Sequence, residues 1–280
     1  MIDIVTVVFR EELEILRVQA QSIDLFCSPE LVQDIIIVVN DTAEVANTID
    51  TAWWGQFQDC VRIIPRCQFG HDWSDNGWVS QQVLKILGSA QAYSKWAQVM
   101  DAKTILVKPV DNSIWDAQGR LRSGSFDIYS VFYPARDIVN QLFGISLDHQ
   151  IGPGGVPFFF DTDIVRSMIT DIEKITSRPF LNWFQDQGRL TEFILYCGYI
   201  LHCGDKHSSV YAMQDSAILP VNICHSEIGI FDIKLDQMLK QNPLTVSIHR
   251  NAWNKLSSLQ QQQYRDFLIS KNISTIGLVK

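Results

Sequence analysis

Val99-Met100-Asp101-Ala102-Lys103-Thr104-Ile105-Leu106 is a hydrophobic run that stops at a carboxylate, admits one small residue and resumes after a cation. The apolar residues up to Met100 read as the end of a buried strand, with Asp101 as the first polar group past it. Upstream, residues 2–9 are apolar and β-branched, which predicts a first strand buried on both faces. Residues 11–26 set Leu13, Leu16, Ala20 and Ile23 at helical spacing, and Glu11 and Glu12 suit the helix N-terminus. Residues 34–39 form a second strand ending at Asn40-Asp41, and 61–64 a short third. Gly77 to Gln91 reads as a Gln-rich helix with Lys85 inside it. Strand and helix alternating at this pace predict an α/β fold, with a mostly parallel, Rossmann-like central sheet flanked by helices. Ligands of such sheets collect at the carboxyl ends of the strands. The polar groups there are Thr6, Arg10, Asn40, Asp41 and Asp101.

Downstream, Phe126 to Phe132 predicts a strand, and Pro134 to Phe143 a helix begun by proline. Gly152-Pro153-Gly154-Gly155 is the strongest turn signal in the chain. Asp161 or Thr162 caps a helix through Ile175, and Thr191 caps another running to about Leu201. Residues 246–248 and 274–279 are strand candidates with a Gln-rich helix between them. No repeat or flexible linker stands out, so residues 1–280 read as one domain.

Composition excludes several classes. Of the 280 residues 46% are hydrophobic and 19% charged, which requires a packed core and argues against disorder. A net charge of −8 opposes generic nucleic-acid binding while allowing a local basic pocket. No apolar run reaches membrane-spanning length, and Met1-Ile2-Asp3-Ile4-Val5 lacks a basic region and signal core, so a cytoplasmic protein is expected. Cys27, Cys60, Cys67, Cys197, Cys203 and Cys224 form no C-x-x-C pair and read as reduced. Cys203 with His202 and His207 matches no strong zinc spacing.

Four features bear on chemistry, and each has a plain structural alternative. Asp101-Ala102-Lys103 offers a carboxylate and an ammonium two positions apart, or else a strand-end cap and a solvated lysine. The glycine loop at 152–155 lets backbone approach a ligand closely, or is an ordinary tight turn. Glu192 after Thr191 is an ionised carboxylate in a first helical turn, placed either to accept a proton or to stabilise the helix. His249-Arg250 at a strand end suits a diphosphate or a metal, or is a surface pair. Among the aromatic residues, Trp73 and Trp78 lie in or beside the polar loop at 70–77 and are the best placed to stack on a ligand, or else are half-buried packing.

Taken in order, these features resemble a GT-A-type glycosyltransferase, and more closely a bacterial and viral family of glycosyltransferase-like proteins found with polysaccharide genes. The residues that carry the resemblance are Gly77-Trp78-Val79-Ser80-Gln81-Gln82-Val83-Leu84-Lys85, Met100-Asp101-Ala102-Lys103, Gly154-Gly155-Val156-Pro157-Phe158 and Thr191-Glu192-Phe193-Ile194-Leu195-Tyr196 with Tyr199. They span roughly residues 2–205, with His249 as a late member. The resemblance implies a nucleotide-binding part over about 1–110 and an acceptor and catalytic part over about 111–280. It implies transfer of a sugar from a nucleotide-sugar donor to a hydroxyl of a glycan acceptor, with inversion if Glu192 is the base. The donor side would be Thr6, Arg10, Asp41, Lys85, Asp101, Lys103 and His249; the acceptor side, Gly154, Gly155, Trp73 and Trp78.

Such transferases hold Mn2+ or Mg2+ with an Asp-x-Asp. Asp101 and His249 would be its ligands here, but Lys103 stands where the second acid belongs. An ammonium can neutralise phosphate charge without a metal. The same substitution is what a catalytically inactive nucleotide- or glycan-binding module of this fold would carry. An unrelated nucleotidyltransferase would need paired carboxylates for metal, for which Asp72, Asp75, Asp111 and Asp116 are available.

Overall fold

Seven buried residues, Ile2–Val8 (β1), form the central strand of a five-stranded sheet. Val32–Val39 (β2) and Trp96–Asp101 (β4) pair with it in parallel on either side. Val61–Pro65 (β3) extends the sheet beyond β2 in parallel, and Phe158–Asp161 (β6) closes the other edge antiparallel to β4. The order β3-β2-β1-β4-β6 confirms the expected mostly parallel α/β sheet and adds one antiparallel edge. The computed structural model describes residues 1–152, 157–213, 220–275 and 278.

β-Branched side chains on both faces of β1 and β2 need cover on both sides. On one side lies Leu13–Phe26 (α1), whose Leu16, Ala20 and Ile23 are buried at the predicted spacing. The helix Gly77–Ser89 (α2) contacts β1 and β2, its start capped by Asn76, whose Oδ1 accepts from Trp78 N and Val79 N. Gly88 marks its closest approach to the sheet: a Cβ there would stand 2.8 Å from Val38 Cγ2 and 3.0 Å from Val5 Cγ1. Gly88→Ala is therefore expected to destabilise. Overpacking costs about 1–3 kcal/mol, more than the ~1 kcal/mol that alanine gains in helix propensity. A urea midpoint at or above wild type would show that α2 does not lie this tightly on the sheet.

The Asp-Ala-Lys tripeptide joins two sheets. Asp101 ends β4, Ala102 and Lys103 turn, and Thr104–Leu106 (β5) enters a smaller sheet. There β5 runs antiparallel to Thr245–Ile248 (β8), which is parallel to Pro220–Ile223 (β7). This sheet has its own hydrophobic cluster, with Phe231 and Met238 from Phe231–Gln241 (α7) and Tyr264, Phe267 and Leu268 from Ser258–Ser270 (α8). Val18 of α1 also belongs to it, so α1 serves both cores.

Along the chain between β5 and β7 come Tyr133–Phe143 (α3), Thr162–Thr176 (α4), Phe180–Asp186 (α5) and Glu192–His202 (α6). Asp161 caps α4 as expected, accepting from Asp163 N and Ile164 N. The strand predicted over 126–132 is only Phe126–Asp127, paired with Gln150–Ile151; Ser130–Phe132 is a 3-10 turn into α3. Phe126 and Phe132 both pack edge-on against Phe193. Of the strand expected at 274–279, Ser274 and Thr275 show no strand structure, and 276, 277 and 279 lie outside the described residues.

Candidate active site

The chain runs β1, β2, β3 to one side and then crosses to β4 on the other. That reversal is a topological switch point, where α/β sheets open a crevice at the strand carboxyl ends. Parallel pairing sets Asp101 level with Val7, two, three and five residues before Phe9, Arg10 and Glu12.

Asp101 sits between two ammonium groups. Lys85 Nζ lies 2.8 Å from its Oδ1 and Lys103 Nζ 2.7 Å from its Oδ2. Lys85 also donates to Glu192 Oε1 at 2.9 Å. Its side chain is 4% exposed and that of Glu192 1%, so Lys85 bridges two carboxylates inside the protein, while Lys103, just past the end of β4, is 24% exposed. Burial alone would raise the Asp101 pKa, but the charges of Lys85 and then Lys103 hold it well below the usual carboxylate range. Burial would likewise depress Lys85, and its two carboxylates raise it instead. For Glu192 burial wins over Lys85, and its pKa is raised. Glu192 Oε2 is buried without a hydrogen-bond partner.

Gln19 positions the turn. Its Nε2 donates to Asp101 O at 2.6 Å and Thr104 O at 3.0 Å, and its Oε1 accepts from Thr6 Oγ1 at 2.9 Å. Ser22 Oγ accepts from Leu106 N at 3.1 Å. One face of α1 thus holds the chain on both sides of the turn. Thr6 is fully buried in this grip, which gives it a packing role and no surface for a donor.

The smaller sheet brings its own charges. β8 pairs with β5 through Ser247 and Thr104, which sets the following His249 and Arg250 near the Lys103 turn. His249 Nδ1 accepts from Asn251 N at 3.1 Å. Burial lowers its pKa, and the charges of Lys103 and Arg250 lower it further. Glu12 faces the same groups: burial raises its pKa against Lys103 and its bond from Phe9 N. Glu12 and Gln19 escaped sequence reasoning because both fit an ordinary amphipathic helix.

The remaining expected residues scatter around this centre. Arg10 and Asp41 pair at 3.3 Å across the ends of β1 and β2, with Arg10 largely exposed. Trp78 is exposed at the start of α2, whose Gly77 faces the Phe9 ring; Trp73 is half-buried, donates to Gly70 O at 2.8 Å and lies under Arg66. Thr191 holds the N-cap position of α6, but its hydroxyl is buried and makes no capping bond. Gly154 and Gly155 lie outside the described residues. Asp111 caps Ser113 N and Asp116 pairs with Arg120, so neither joins the Asp101 cluster. Among the described residues no three His, Cys, Asp or Glu side chains gather as a metal site. With both Asp101 oxygens on lysines, the residues present do not fit the Mn2+ or Mg2+ expected from the family resemblance. No described helix is long and apolar enough to cross a membrane.

Residues 6–270 match the model of a family of unknown function, DUF6492. No curated protein matches the sequence. Among solved structures, the galactosyltransferase LgtC is 11% identical with a TM-score of 0.47, covering 93% of this chain and 94% of its own. GlyE, a glycosyltransferase of Streptococcus pneumoniae TIGR4, is 12% identical with a TM-score of 0.49, covering 99% of this chain, which spans 62% of GlyE. Mouse xyloside xylosyltransferase 1 is 11% identical with a TM-score of 0.43, covering 89% of this chain and 99% of its own.

Proposed function

We infer that this chain, which belongs to the DUF6492 family of unknown function, transfers a sugar from a nucleotide-sugar donor to a hydroxyl of a glycan acceptor. The observation that carries this reading is the clamp of Lys85 and Lys103 on Asp101 at the switch point of the sheet. The sequence resemblance to GT-A transferases across residues 2–205 supports it independently.

As the acceptor oxygen bonds to the anomeric carbon and the bond between sugar and phosphate breaks, the electron pair leaves with the diphosphate, negative charge grows on it, and the acceptor proton passes to that diphosphate or to solvent. Cations already in place stabilise that charge without reorganising at the moment of reaction. Lys103 is the ammonium open to the crevice, and His249 and Arg250 add positive charge from the second sheet. Asp101, held in place by Lys85, fixes Lys103 at the end of β4 on the donor side. Arg10 and Asp41 border the nucleotide, and Trp78 offers an exposed ring to the acceptor. Glu192 as the base would give inversion. Its carboxylate has one oxygen on Lys85 and the other sealed from solvent, so we assign it to positioning Lys85.

The test is a panel of UDP-, GDP-, dTDP- and CMP-sugars with simple aryl glycosides as acceptors, followed by melting temperature and by nucleotide release. At least one donor is expected to raise the melting temperature and to be turned over. A melting shift with no release would return a binding module, and no response to any donor would end the transferase reading.

A further inference from the structure

We propose that Lys103 takes the place of a divalent cation, so that a nucleoside diphosphate is held by fixed positive side chains and its binding requires no metal. The diphosphate rests on the transferase reading above, whereas the metal half rests on the donor set alone. Mg2+ and Mn2+ take an octahedral shell of oxygens, anchored by one or two carboxylates. At the end of β4 the carboxylate is Asp101, whose Oδ1 is ion-paired with Lys85 at 2.8 Å without hydrogen-bond geometry and whose Oδ2 accepts from Lys103 at 2.7 Å. The acid two residues on is replaced by one of those cations. Lys85 is not free to withdraw, because it is enclosed and also holds Glu192 at 2.9 Å.

Neighbouring groups do not fill the gap. Glu12 Oε2 accepts from Phe9 N at 3.3 Å, and His249 Nδ1 accepts from Asn251 N at 3.1 Å. A metal brought to Asp101 would have to displace an ammonium or sit beside two positive charges at short range. Lys103 has what the metal would supply. Its charge is compact, its stem is flexible, and its head is partly exposed, so it can turn from Asp101 to a phosphate oxygen without leaving the crevice.

Three measurements on the full chain decide the matter: the EPR spectrum of Mn2+ titrated alone, and the melting shifts produced by UDP or GDP and by inorganic pyrophosphate, each in EDTA or MnCl2. Wild type is expected to bind Mn2+ no tighter than about 1 mM, and its diphosphate shifts should be equal in EDTA and in MnCl2. Lys103→Ala is expected to weaken diphosphate binding by about tenfold or more. Lys103→Asp restores the acid pair, so it should gain Mn2+ affinity and make diphosphate binding sensitive to EDTA. Tight Mn2+ binding by wild type that Asp101→Asn abolishes would overturn the proposal, as would loss of the UDP or GDP shift in EDTA. If no diphosphate shifts the protein, the ligand half and the transferase reading fall together, and the Mn2+ spectrum still judges the metal half by itself.

Discussion

Lys85→Met is expected to destabilise the protein by about 3–5 kcal/mol, because it leaves a sealed carboxylate with no counter-charge. Methionine keeps most of the volume, so the loss measures charge and not packing. Asp101 would retain Lys103 at 2.7 Å, but Glu192 would keep no cation, and its second oxygen already lacks a partner. For a chain of this size the loss corresponds to about 5–9 °C in melting temperature, and it is a large part of a total stability of about 5–15 kcal/mol. The double variant Lys85→Met with Glu192→Leu removes both buried charges and should recover much of the loss, since apolar replacement of a whole buried pair is often neutral. Neither variant should transfer sugar, because Asp101 would be free to follow Lys103. If Lys85→Met alone lies within about 1 kcal/mol of wild type, the bridge is not an ionic one in the folded protein.

The parallel sheet was legible because its strands are short runs rich in β-branched and apolar residues, and α1 because three core residues fall at helical spacing. The smaller sheet was harder to see. Pro220-Val221-Asn222-Ile223 is four residues long and begins with proline, a weak strand signal, and β5 is three residues that read as the tail of β4. What hid it was a turn of only two residues, Ala102 and Lys103, between two sheets. The site was half legible for a related reason. Asp101, Lys103 and His249 stand at strand ends, where periodicity stops and polar residues become conspicuous. Lys85 was noticed inside α2, but its bond to Glu192 joins residues 107 positions apart, and no spacing rule reaches that far. Gln19 left no signal at all, since a glutamine within a helix is unremarkable until its amide is found bonded to two carbonyls of another element.

The two carboxylates that share Lys85 should respond differently to loss of charge. Asp101→Asn is expected to lower transfer by about 10²–10³-fold, the scale on which a group aimed at developing charge is missed. The variant loses the anion that holds Lys103 in the crevice, and it leaves two ammonium groups facing each other. Glu192→Gln should cost about tenfold or less, because the amide oxygen still accepts from Lys85, whereas removing a general base costs about 10²–10⁴-fold. Stability against pH separates them a second time. Asp101 is held below the usual carboxylate range, so its contribution is complete above that range and is lost only as pH falls through it. The Glu192 pKa is raised, so its effect has the opposite sign: it favours the folded state in acid, and that advantage is lost as pH rises. Glu192→Gln should therefore gain on wild type as pH rises above the usual carboxylate range in paired urea titrations, while Asp101→Asn loses most of its deficit only in strong acid. A Glu192→Gln enzyme that is inactive yet equally stable across that range would restore this carboxylate to the role of base and remove it from the support of Lys85.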